Sequence, residues 1–96
     1  MKVRYTRRAL AHLAEIRAYI EQDRPSAARM VGESIREAVA HLAEFPEVGR
    51  PGRVAGTREL VIPRLPFIVA YRVTRSHVDV LAILHAARQW PFGFES

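Results

Sequence analysis

The chain has 96 residues and a mass of 10.9 kDa, room for one domain with a single core under two layers of structure. Its 49% hydrophobic and 26% charged residues exclude wholesale disorder, and the absence of cysteine excludes disulfides, thiolate metal sites, iron–sulfur clusters and cysteine nucleophiles. Fifteen basic residues, fourteen of them arginine, against ten acidic ones give a net charge of +5, which favours an acidic protein surface or nucleic acid without naming either.

Lys2–Tyr5 alternates polar and apolar residues and predicts a short strand, with Val3 and Tyr5 on one face. Thr6 is placed to cap a helix from Arg7 to about Gln22, whose apolar stripe runs Leu10, Leu13, Ile16, Ile20. Asp23-Arg24-Pro25-Ser26 breaks the pattern, and Pro25 or Ser26 suits the start of the next helix. There Val31, Ile35, Ala38, Leu42 and Phe45 step by four and three along one face until Pro46 stops it. The short link makes the two helices an antiparallel hairpin.

Residues 47–57 hold Gly49, Pro51, Gly52 and Gly56 and read as a loop. Three strands follow, Arg58–Ile62, Phe67–Thr74 and His77–His85, joined by short links that imply an antiparallel meander. In the last of these, Val78, Val80, Ala82 and Leu84 are expected on one side, with Asp79, Leu81, Ile83 and His85 on the other. The order β-α-α-β-β-β over residues 1–96 predicts an α+β domain with the helical hairpin on one face of a small antiparallel sheet. The longest uncharged apolar stretch, Leu65–Tyr71, is far short of the ~20 residues that cross a bilayer. The first residues also carry no apolar signal core, so the expectation is a small cytoplasmic domain with no membrane partner.

Familiar chemical motifs are missing. Gly49-Arg50-Pro51-Gly52 lacks the Lys-Ser/Thr of a phosphate-binding loop and precedes a strand, and no Gly-x-Ser-x-Gly elbow is present. His12, His41, His77 and His85 are dispersed, without metal spacing, so neither a metal site nor a cofactor is expected. His85 and Arg88 leave the last strand together, a pairing that suits acid–base chemistry on RNA. The simpler reading has His85 capping the strand end through a backbone hydrogen bond. Arg50, Arg53, Arg58, Arg64, Arg72 and Arg75 gather in the loop-and-sheet half, either as a solvated face or as a basic surface for an acidic segment. The second helix sets only Arg29 and Arg36 against Glu33, Glu37 and Glu44, a poor face for direct DNA reading.

The stretches Gly49-Arg50 through Arg58-Glu59-Leu60, Ile68-Val69-Ala70-Tyr71-Arg72-Val73, and Val80 through His85-Ala86-Ala87-Arg88-Gln89-Trp90-Pro91 resemble the ParE/RelE toxin superfamily, on its ParE-like side. The resemblance covers nearly the whole chain, including the helical hairpin that ends at Leu42-x-x-Phe45-Pro46. It implies a bacterial type II toxin, neutralised by a cognate antitoxin in a heterodimer or heterotetramer and touching DNA only through that antitoxin. Two activities occur on this fold, so fold alone does not select one. ParE-like members bind and poison DNA gyrase, with growth arrest and plasmid stabilisation as consequences. RelE-like members are ribosome-dependent mRNA interferases.

RelE-like ribonucleases carry an Arg three residues before the Tyr of the central strand, where this chain has Ile68, and lysines on the preceding strand, where it reads Arg58-Glu59-Leu60-Val61-Ile62. They also carry a Tyr near the C-terminus, where this chain has Trp90, Phe92 and Phe94. The resemblance therefore implies gyrase inhibition by protein–protein binding, with no catalytic residue. Target contact falls to Arg88, Trp90 and Phe92. Antitoxin capture falls to Leu13 and Arg17 on the hairpin and to Arg58, Arg72 and Arg75 on the sheet. The enzymatic alternative places His85 and Arg88 in a ribonuclease site.

Overall fold

A computed structural model describes residues 1–87. β1 (Lys2–Tyr5) leads through Thr6 into α1 (Arg7–Glu21), and α2 (Pro25–Ala40) runs on into a 3-10 turn over His41–Ala43. Four strands follow: β2 (Arg50–Pro51), β3 (Arg58–Val61), β4 (Phe67–Val73) and β5 (His77–His85). The sheet has five strands in the order β1-β5-β4-β3-β2, with β1 parallel to β5 and every other pairing antiparallel. The α+β class and the strand–hairpin–sheet order are those the sequence predicts. β4 and β5 lie inside the sheet, which is why their sequences are apolar on both faces.

Local chemistry sets the boundaries. Thr6 caps α1, its hydroxyl accepting the Ala9 N–H at 3.1 Å, and Pro25 occupies the first position of α2, where the missing N–H costs nothing. The apolar stripe of α1 follows the expected one at Leu13, Ile16 and Ile20 and departs from it at its first member, where Ala9 takes the place of Leu10. Ala9 and Leu13 are buried with Ile16 half-buried, whereas Leu10 is 52% exposed. Phe45, expected on the buried face of α2, is 58% exposed. The α-helix ends at Ala40, and the tighter 3-10 turn that follows keeps Leu42 in the core but rotates later residues out of phase.

The core between helices and sheet joins Ala9, Leu13, Ile35 and Val39 to Phe67, Val69, Val80 and Ile83. A second group beside it holds Leu42, Tyr71 and Val78. On the opposite face of the sheet Ala70, Leu81, Ala82 and Leu84 cluster with Val54 of the loop between β2 and β3.

Strict alternation along β5 fails at one point. Ala70 pairs with Ala82 but Tyr71 pairs with Val80, so Leu81 is an extra residue in a β-bulge. The bulge reverses the facing of everything after it. Val78, Val80 and Ile83 serve the helix-side cores, and Leu81, Ala82 and Leu84 serve the other, which corrects the expected split. The segment expected as pure loop contains β2, whose two residues pair Arg50 with Glu59 and Pro51 with Arg58.

Candidate functional site

The residues that carry the sequence resemblance touch one another. Glu59, only 3% exposed, draws the loop onto the sheet: its carboxylate accepts from Arg50 Nη2 at 3.1 Å and Arg50 Nε at 3.3 Å, and from the Arg53 backbone N–H at 2.8 Å. The Arg53 guanidinium adds a longer ion pair at 3.9 Å. On the other face, the Tyr71 hydroxyl donates to the Pro46 carbonyl at 2.8 Å and accepts the Gly49 N–H at 2.9 Å. Burial raises the Tyr71 hydroxyl above the usual phenol range, with the Gly49 N–H and Arg58 pulling the other way. A Cβ on residue 49 would stand 2.6 Å from that hydroxyl oxygen, so glycine is required by the close approach. Arg58 completes the knot, donating through Nη1 to the carbonyls of Gly49 at 2.7 Å and Glu47 at 3.1 Å.

Arg72 lies half-buried on the sheet face turned away from the helices, across the ladder from Asp79. Asp79 is engaged by Arg4 Nε at 3.5 Å and His77 Nε2 at 3.2 Å, and His77 Nδ1 faces Ser76 Oγ at 3.0 Å. This Ser-His-Asp succession is not a nucleophilic triad. Arg4 Nη2 lies 2.6 Å from the same His77 Nε2 and competes with Asp79 for it, and none of these residues lines the groove beside α1 or the cleft between Glu47 and Val73. Arg75 is exposed in the β4–β5 turn.

On the helix side, a groove of about 790 Å³ opens between α1 and the far ends of β4 and β5. Ile16, Tyr19, Val31, Leu65, Phe67 and Ile83 give it apolar walls, and His12, Glu15 and His85 its polar atoms. His85 stands edge-on to Phe67, ring centroids 5.6 Å apart, and its Nδ1 accepts the Ala87 N–H at 3.1 Å. Arg17 is exposed, and its stem and the Arg36 guanidinium both lie over buried Gly32, each 3.4 Å from where a Cβ would stand. No described carboxylate forms an ion pair with either.

Leu13, expected in the antitoxin contact, is 7% exposed and lies in the core cluster with Ala9, Ile35 and Val80, so little of it is on the surface of the chain by itself. Arg58 has two backbone carbonyls as partners, so part of its donor capacity is structural. Arg88, Trp90 and Phe92 lie outside the described residues. Sequence reasoning missed Glu59, the one carboxylate among the arginines at 50, 53 and 58, a pattern that could have revealed it. Among the described residues no group of three or more metal-ligating side chains gathers, and no helix is long and apolar enough to cross a membrane.

A strand, a helical hairpin and a mixed five-stranded sheet make up the α+β fold of a small toxin of the ParE/RelE kind. Residues 3–90 match the family model of the ParE toxin of the type II toxin–antitoxin system parDE. The chain is 51% identical over 90 residues to the toxin-named protein Y4kP of Sinorhizobium fredii, covering 94% of this chain and 93% of that one. It is 42% identical over 87 residues to Toxin RelE2 of Caulobacter vibrioides, covering 91% and 97%. A solved structure described as the chromosomal ParDE TA system from P. aeruginosa matches with a TM-score of 0.81 at 31% identity, over 88% of this chain and 95% of that one. The chain belongs to the ParE toxin family of type II toxin–antitoxin systems.

Proposed function

We propose that the chain is a cytoplasmic toxin that inhibits DNA gyrase by binding it and is held inactive by a cognate antitoxin. The observation that carries the non-catalytic reading is the employment of the sheet's arginines. Arg50 and Arg53 are spent on Glu59, Arg58 on two carbonyls, and Ile68 stands where the ribonucleases of this fold carry an arginine. Those three arginines are thereby drawn away from the stabilisation of a phosphoryl transition state.

Antitoxin capture is supported by the apolar groove beside α1 and by the unpaired Arg17 and Arg36 on the hairpin, a combination that suits an amphipathic acidic helix. Arg72 and Arg75 offer a second, basic contact for a segment crossing the sheet. Reversing both to Glu is expected to weaken antitoxin binding at least tenfold in titration calorimetry. Unchanged affinity would remove the sheet face from the interface. Arg88, Trp90 and Phe92 are assigned to gyrase contact.

The interferase reading keeps one observation in its favour, the RelE2-named relative, with His85 facing an open groove. Induction in antitoxin-free bacteria, with thymidine and methionine incorporation pulsed side by side, separates the two. Early arrest of DNA synthesis with filamentation is the expected result. Early collapse of methionine incorporation would instead assign the toxin to the ribosome.

A further inference from the structure

The side of β5 beyond β1 is closed by side chains instead of a strand. Ladder pairing stops at Tyr5 and Val80. From there the Thr6 N–H donates to the Val80 carbonyl at 3.0 Å, the Thr6 hydroxyl donates to the Leu81 carbonyl at 3.2 Å, and the Ile83 N–H donates to His12 Nδ1 at 3.1 Å. Ile83 is 3% exposed, so water is no ready replacement for that acceptor. An imidazole nitrogen accepts only when it carries no proton, and the bond therefore fixes His12 as the neutral tautomer with its hydrogen on Nε2.

We propose that His12 is a proton-sensitive clasp: its neutral ring holds the first turns of α1 to the uncovered edge of β5, and protonation at Nδ1 releases the Ile83 amide and loosens that wall of the groove. The charged ring would aim one N–H at another. Its surroundings bias the balance. Burial pushes His12 below the ordinary histidine range; Glu15, one turn further along α1, acts the other way, and Arg8, one turn back, acts with burial. Among the described residues the remaining titratable groups at the groove are His85 of β5 and the Tyr19 phenol of α1, while α2 contributes Val31 and the β3–β4 link Leu65 and Pro66, all uncharged.

The sign follows from linkage. A depressed value in the folded chain means that the unfolded chain takes up the proton first as pH falls. The clasp is complete above the ordinary histidine range and is lost as pH falls through the depressed value. It is a property of the free chain, and its test needs nothing bound in the groove.

Nitrogen NMR on the full chain with labelled histidine tests this directly. At neutral pH His12 is expected as the Nε2–H tautomer, titrating below the ordinary histidine value, with protection of the Ile83 amide falling along the same curve. An Nδ1–H tautomer, or an Ile83 amide indifferent to that titration, overturns the clasp. Unfolding of the wild type and of His12→Gln over the same pH range gives a second readout. The wild-type unfolding constant is expected to rise relative to the variant by up to about tenfold per pH unit between the two values. Parallel pH dependences overturn the proposal, and if the variant does not fold, the wild-type titration decides alone.

Discussion

The two halves of the molecule are held together by different physics. Around Glu59 and Tyr71 the loop 46–53 is fixed by directional bonds: a buried carboxylate with two arginines, a hydroxyl between two loop residues, a guanidinium on two carbonyls. On the helix side, Ala9, Leu13, Ile35 and Val39 hold the hairpin through apolar contact, and Arg17 and Arg36 above it have no carboxylate partner among the described residues. The half richest in recognisable sequence motifs is thus the half most occupied with its own folding. The half that reads as plain amphipathic helix leaves a groove open beside it.

The sharpest way to break this contrast is to empty each half in turn. Ile35→Ala removes a fully buried side chain from the hairpin core and is expected to cost about 3–4 kcal/mol in urea unfolding. Glu59→Ala is expected to cost about 2–3 kcal/mol, less than a fully buried pair because both arginines are half in water, and unlike the first its cost should shrink as salt is added. A salt-independent loss would mean that the carboxylate acts by volume and not by charge.

Gly49→Ala sharpens the comparison further. The added methyl meets the Tyr71 hydroxyl at 2.6 Å and the Glu59 carbonyl oxygen at 2.9 Å, and about 2 kcal/mol of destabilisation is expected. In a Tyr71→Phe background, itself about 1–2 kcal/mol less stable, part of that clash is gone. Non-additivity of at least roughly 0.5 kcal/mol in the double-mutant cycle is the expected signature. Additive losses would show that the glycine is needed for something other than the hydroxyl.

The smallest effect runs the other way. Arg64 has φ of 67° in the turn between β3 and β4, so Arg64→Gly is expected to raise stability by about 1 kcal/mol, read as a higher urea midpoint at unchanged slope. No gain would mean that the arginine side chain repays its backbone strain.

Much of the fold was legible because its signals are local. The Thr6 cap, the Pro25 start and the Pro63-Arg64-Leu65-Pro66 interruption mark boundaries that the chain obeys. The errors have physical causes. Leu10 outweighs Ala9 in any apolar pattern, yet the close approach of helix and sheet admits the small residue. Leu81-Ala82-Ile83-Leu84 is apolar throughout, so no alternation marks the bulge. Leu13 and Arg17 lie four residues apart on one helix, and only packing tells that the first is consumed by the core and the second left outside. The clasp at His12 joins residues 71 positions apart and has no sequence signature at all.

The parallel pairing of β1 with β5 sets a timetable for synthesis. Lys2 finds its ladder partner in His77, so the first of the described strands must wait for the fifth, about 4 to 15 s at usual rates of translation. Until then the helical hairpin has no β5 to lie on, and the sheet lacks one of its inner strands. The hairpin and the β3–β4 pair are thus made before the strand that joins them, and the sheet closes around β5 only after both are in place.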